Sequence, residues 1–98
     1  MTINKIKDGS TLTLALEGRL DTTTAPELEK EVRTGLDGVQ QLIMDFAKLD
    51  YISSAGLRVL LSAQKLMSKQ GGMKVIHVNE MVSEVFEVTG FADILDIE

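Results

Sequence analysis

Gln41-Leu42-Ile43-Met44-Asp45-Phe46, followed after four residues by Tyr51-Ile52-Ser53-Ser54-Ala55-Gly56-Leu57-Arg58, is the stretch that decides the fold of this chain. The first run is short and almost continuously apolar, the pattern of a strand buried on both faces in a parallel sheet. The second opens a helix. From Ser54 to Gln70, Leu57, Leu60, Leu61, Gln64 and Met67 recur at helical spacing, and Arg58, Lys65 and Lys69 fall between them. Gly71-Gly72 ends that helix, and Met73-Lys74-Val75-Ile76-His77-Val78 begins a further strand. Strand, helix and strand in succession predict parallel pairing through a right-handed crossover.

Outward from this centre the pattern repeats. On the N-terminal side, Asp8-Gly9 is a turn dipeptide, and Leu12, Leu14 and Leu16 alternate with Thr11, Thr13 and Ala15. The first eighteen residues therefore predict a β-hairpin whose second strand ends at Gly18. Thr24 and Glu27 have capping-box spacing and Pro26 suits a first helical turn. Leu28, Val32 and Leu36 give that helix an apolar face, and Gly35 and Gly38 stop it. On the C-terminal side Asn79 caps a third helix with Val82, Val85 and Phe86 on one face. Gly90 occupies its C′ position, Phe91 packs back, and Ile94–Ile97 reads as a short edge strand. The expected fold is α/β: residues 1–98 form a single domain with a mixed, mostly parallel sheet of four to five strands, an N-terminal hairpin and about three helices.

Composition narrows the function. The 98 residues carry a formal charge of −5 and no cysteine. That excludes disulfides, thiolate chemistry and cysteine-bound metals. Without a Lys/Arg cluster the chain is a poor match to nucleic acid. It has no apolar run of membrane-spanning length and no signal-peptide pattern. A soluble, cytoplasmic protein, monomeric when free and without membrane insertion, is expected. No phosphate-binding glycine loop or dinucleotide fingerprint is present, and the single histidine, His77, falls inside an apolar strand. Asp45 and Asp50 read as solvated strand-end carboxylates, their spacing fitting no hard-cation loop. An enzyme, a metal site and a cofactor are therefore not expected.

In an open α/β sheet, functional groups collect beyond the carboxyl ends of the parallel strands. Three loops are expected there: Gly18–Thr23, Lys48–Ser54 and Val78–Glu80. Ser53 and Ser54 stand at the junction of the second loop with its helix. Either one can cap the helix, and a hydroxyl there lies where the helix dipole favours negative charge. Ala55 and Gly56 leave the first turn without bulk, so the same hydroxyls read as open to a docking partner. A phosphate on one of them would add about −1.5 to −2 charges. The helix terminus tolerates that charge, while an acidic or closely fitting partner would not.

Leu49-Asp50-Tyr51-Ile52-Ser53-Ser54-Ala55-Gly56-Leu57 resembles the signature of anti-sigma factor antagonists of the STAS family (sulfate transporter and anti-sigma factor antagonist). Glu17-Gly18-Arg19-Leu20-Asp21, Thr24-Ala25-Pro26-Glu27-Leu28 and Gly90-Phe91 match further family features. The resemblance implies a partner switch in bacterial signalling. The unphosphorylated protein binds an anti-sigma factor that is also a serine kinase, which frees a sigma factor for transcription. Phosphorylation of one serine ends binding, and a serine phosphatase restores it. The motif places the acceptor on Ser54, with Ser53, where many members carry Asp, as the second candidate.

The resemblance also implies a partner surface of Asp21, Thr22, Ser53, Ala55, Gly56, Leu57 and Arg58. Two of these have competing structural readings, Asp21 as a cap of the first helix and Leu57 as a core residue. The family's larger members continue into another C-terminal helix, which this chain, stopping at Glu98, is expected to lack or to keep very short. The alternative function is a non-enzymatic STAS subunit of a lipid or solute transporter, with no phosphorylation.

Overall fold

The computed structural model describes all residues, Met1–Glu98. Strands β1 (Thr2–Asp8) and β2 (Thr11–Leu20) form the expected hairpin. Gly9 turns it at φ 62°, a conformation that costs glycine little. Helix α1 (Ala25–Gly35), strand β3 (Gln41–Ile52), helix α2 (Ser54–Ser68), strand β4 (Gly72–Ile76) and helix α3 (Glu80–Thr89) follow. A 3-10 turn over Phe91–Asp93 packs back on α3. The sheet order is β1-β2-β3-β4, with β1 antiparallel to β2 and the other pairs parallel. Ile94–Ile97 adds no fifth strand. It contributes one bridge, Ile97 beside Val75, closed by Val75 N donating to Asp96 O at 2.8 Å and Glu98 N to Val75 O at 2.9 Å.

Each parallel strand is added on the same side of its predecessor. Right-handed crossovers then place their helices on a single face of the sheet. Leu12, Leu14, Leu16, Leu42, Met44, Phe46, Met73 and Val75 are buried on that face, together with Leu28 and Val32 of α1, Leu60, Ala63 and Met67 of α2, and Val82 and Phe86 of α3. Phe46 and Phe86 stack 6.4 Å apart. Their neighbours Thr11, Thr13, Ala15, Gln41, Ile43 and Asp45 are only half-buried on the other face. The apolar run from Gln41 to Phe46 is thus buried on one side and not on both, because no element crosses to cover the second side.

Two further expectations change at the strand ends. Gly18 does not end β2, and Lys48–Ile52 is strand rather than loop. The two strands remain paired to Leu20 and Ile52. Between the Ala15–Asp45 pair and the Leu20–Ile52 pair, β3 spends two more residues than β2, so two bulges interrupt the ladder. Bulges bend a strand and sharpen its twist. Gly18, at φ 103°, absorbs the distortion on β2. At the first bulge, Asp45 Oδ1 accepts the Ala47 amide at 3.0 Å.

Gly71 does more than stop α2. A Cβ there would lie 1.7 Å from the Gln40 carbonyl oxygen, so only glycine lets the chain pass this close before β4. His77 lies outside β4. It is exposed, sits at φ 59°, and its Nδ1 is 2.8 Å from Asp45 Oδ1. Asn79 caps α3 as expected, its Oδ1 accepting the Val82 amide at 2.8 Å, and Gly90 closes the helix at φ 81°. No helix is long and apolar enough to cross a membrane.

Candidate functional site

The paired ends of β2 and β3 bring two of the three predicted loops together. Ser53 N donates to Leu20 O at 2.9 Å, which fixes the start of α2 against the chain leaving β2. Beyond that contact, Thr22, Ala25, Pro26 and Glu29 face Ala55, Arg58, Val59 and Ser62 across a groove of about 380 Å³ between the N-terminal turns of α1 and α2. The third loop lies apart from this groove. Its Asn79 Nδ2 donates to Leu49 O at 2.8 Å, which ties α3 to β3.

The two adjacent serines occupy different environments. Ser53 is the N-cap residue by backbone position, with φ −103° and ψ 176°, yet its side chain makes no capping bond. Its Oγ is buried and meets no hydrogen-bond partner. Ser54 is the first residue of α2 and is exposed. The helix therefore starts without the side-chain cap expected of either serine. Leu57 N reaches Ser53 O at 3.0 Å, while no acceptor in the protein meets the amides of Ser54, Ala55 and Gly56. Unpartnered amides at a helix start favour negative charge in front of them.

Gly56 and Leu57 correct the expected surface. Gly56 is buried, and a Cβ there would stand 2.7 Å from Leu20 Cγ and 2.9 Å from Ile52 Cγ1. The glycine is required by packing of α2 on β2 and β3, not by access for a partner. Leu57 is a core residue, 6% exposed. Ala55 is half-buried at the groove wall, and Arg58 and Thr22 are exposed.

Asp21 organises the turn into α1. Its Oδ1 accepts from Thr23 N at 3.0 Å, Thr23 Oγ1 at 2.7 Å and Thr24 N at 3.2 Å. The Thr23 hydroxyl bond is the largest influence holding this carboxyl below its ordinary range, with the two amides adding to it against a smaller effect of burial. Thr24 makes no capping box with Glu27. Its Oγ1 donates back to Arg19 O at 2.7 Å and accepts the Asp21 amide at 2.8 Å, latching the turn to the end of β2. Arg19 extends over the Tyr51 ring, 4.3 Å from its centroid, with Nε 3.8 Å from Asp21 Oδ2. Sequence reasoning missed both Thr24 and Arg19 as organisers of this edge. The Arg19–Tyr51 contact joins β2 to β3 and has no local signature, while the Thr24 latch spans only five residues and takes its form from the turn that leaves β2.

The STAS domain profile matches residues 2–98. The chain belongs to the STAS domain family. Among relatives of this STAS domain, a protein of Bordetella bronchiseptica designated anti-sigma factor antagonist BtrV is 40% identical over 99% of this chain and 84% of its own length. The anti-sigma-B factor antagonist of Bacillus subtilis is 30% identical over 84% of this chain and 76% of its own. The fold is shared with the anti-sigma factor antagonist SpoIIAA. Its unphosphorylated form superposes with a TM-score of 0.85 at 18% identity, over 99% of this STAS domain and 88% of SpoIIAA. The phosphorylated form gives 0.77 at 17% identity, over 99% and 91%.

Proposed function

We propose that this STAS domain is an anti-sigma factor antagonist that works by partner switching, with Ser54 as its phosphoacceptor. The unphosphorylated protein binds an anti-sigma factor with serine kinase activity and so releases a sigma factor. Phosphorylation of Ser54 ends the complex, and a serine phosphatase regenerates the binding form. The protein acts as a ligand for its partners and not as a catalyst.

The observation that carries this reading is the contrast between the serines, with Ser54 exposed on the first turn of α2 and the Ser53 oxygen buried. A kinase must bring its nucleotide to the attacking oxygen, and only Ser54 offers that access. The relatives named as antagonists and the existence of a phosphorylated SpoIIAA structure support the same reading. The partner surface is formed by Ser54 with Thr22, Ala55 and Arg58 at the groove, and by Asp21 through the turn it holds. Ser53, Gly56 and Leu57 shape that surface from below.

The test is incubation with the cognate anti-sigma factor kinase and ATP, followed by intact-mass measurement. Wild type and Ser53→Ala gain one phosphoryl group, and Ser54→Ala gains none while still binding the kinase. Ser54→Asp binds it weakly. Phosphorylation that survives Ser54→Ala, or full affinity in Ser54→Asp, refutes the proposal. A wild-type protein that is never phosphorylated but docks on a transporter supports the transporter-subunit alternative.

A further inference from the structure

Arg58 stands one helical turn beyond Ser54, at the i+4 position of α2. It is exposed, lines the groove opposite Pro26 and Glu29, and lies within ion-pair distance of no carboxylate. It is thus an unpaired cation at the edge of the surface described above. Side chains on a helix lean toward its N-terminus, so that a residue at i+4 lies over the residue at i, with Cβ atoms about 5–6 Å apart. The guanidinium of Arg58 therefore has two accessible directions, out across the groove or back over the start of α2.

A phosphate on Ser54 would change the balance between them. It carries about −1.5 to −2 charges and three acceptor oxygens that match the guanidinium fork. No other free cation of the site competes for it. Arg19 is engaged by Asp21 and the Tyr51 ring, and the next cation along α2, Lys65, is eleven residues on, roughly 16 Å along the axis. Glu29 is the single acidic side chain lining the groove, and it carries less charge than the phosphate and fewer acceptors.

Resting on the reading of Ser54 as phosphoacceptor, we propose that Arg58 is the internal counter-ion of phospho-Ser54. In the unphosphorylated protein Arg58 serves the groove and meets an acidic group of the partner. After phosphorylation it folds back onto the phosphate and leaves the groove. The modification then acts twice on the interface, adding an anion and withdrawing the cation the partner had used. The core is untouched, because both groups are on the solvent side of α2.

The experiment installs phosphoserine at position 54 during translation, so that no kinase is involved, and follows the phosphorus NMR shift against pH. The second ionisation of phosphoserine, ordinarily near pH 6, is expected about half a unit lower in the wild type than in Arg58→Gln, roughly a threefold change in the constant. Arg58→Lys recovers part of the shift, and high salt shrinks it. Arg19→Gln, which also removes a positive charge from this edge, moves the ionisation less. Equal values in the wild type and Arg58→Gln, or an equal effect of Arg19→Gln, overturn the pairing. Neither result bears on whether a kinase uses Ser54. Conversely, a kinase that ignores Ser54 defeats the proposed function and leaves this titration as it is.

Discussion

Replacing Gly56 with alanine tests the packing on which the whole junction depends. The added methyl would stand 2.7 Å from Leu20 Cγ and 2.9 Å from both Leu20 Cδ2 and Ile52 Cγ1. Unstrained carbon contacts need about 3.5–4.0 Å, so α2 must lift or two side chains must move by nearly an ångström. Leu20 is 0% and Ile52 3% exposed, and two of the three clashing atoms are inner carbons of their side chains, so no rotamer change of a free tip relieves the overlap. Overpacking of this kind costs about 1–3 kcal/mol. Alanine recovers at most about 1 kcal/mol of helix propensity, and less in a first turn. The net expectation is a loss of about 1–2 kcal/mol, seen in thermal unfolding as a fall in Tm of roughly 5–15 °C. Gly35→Ala is the matched control. It lies at the end of α1 with nothing nearer to its Cβ than Glu31 Oε2 at 3.9 Å, and it is expected to leave Tm unchanged or slightly raised. A Gly56→Ala protein as stable as the wild type, or two glycine variants that shift alike, would refute the claim that α2 is seated on Leu20 and Ile52.

Two further outcomes probe the polar groups around the site. Ser53→Ala should change stability by less than about 0.5 kcal/mol in urea unfolding, although an ordinary N-cap serine loses about 1 kcal/mol on the same change, because the buried Oγ of Ser53 has no partner to lose. A loss of a full kcal/mol would mean that the hydroxyl is bonded after all. For Asp45, burial is the largest single influence and disfavours the charged carboxylate, raising the pKa, but the His77 hydrogen bond, the Ala47 amide and the charge of His77 together bring it below the ordinary 3.8. Since the folded value is the depressed one, the unfolded chain takes up this proton first as the pH falls. The contribution of Asp45 is therefore complete above about pH 5 and is lost as the pH drops through 3.8 toward the folded value. Stability of Asp45→Asn measured from about pH 7 to pH 2 should be lower at neutrality and fall less steeply in acid. Parallel curves for the two proteins would exclude the pair as a source of the acid dependence.

The site combines a rigid base with an exposed working edge. Leu20, Ile52, Gly56 and Leu57 are buried and set where α2 begins. Ser54 and Arg58 stand on its solvent side, and the Asp21 turn forms the neighbouring wall. A charge placed on Ser54 therefore meets the partner before it meets the core. This suits a switch in which the same fold is presented in both states and only the surface charge changes.

By itself the sequence determined the order of elements, the hairpin at Asp8-Gly9, the core faces of the three helices, the Asn79 and Gly90 caps and the strand-to-helix junction that carries the serines. These are local properties, set by residue periodicity and turn chemistry within a few positions. The STAS resemblance was legible for the same reason, since its motifs are runs of neighbouring residues. Only the tertiary structure decided that β3 continues through Lys48–Ile52, because that mixed stretch, interrupted by bulges, is a strand by virtue of pairing with the end of β2. Likewise it decided that the sheet is covered on one face, and that His77 leaves its strand to meet Asp45. It also separated two neighbouring serines that sequence alone treats nearly alike, and gave Gly56 a packing role in place of an access role. Each of these depends on what lies opposite a residue in space, and opposition across a sheet or between helices leaves no local trace in the chain.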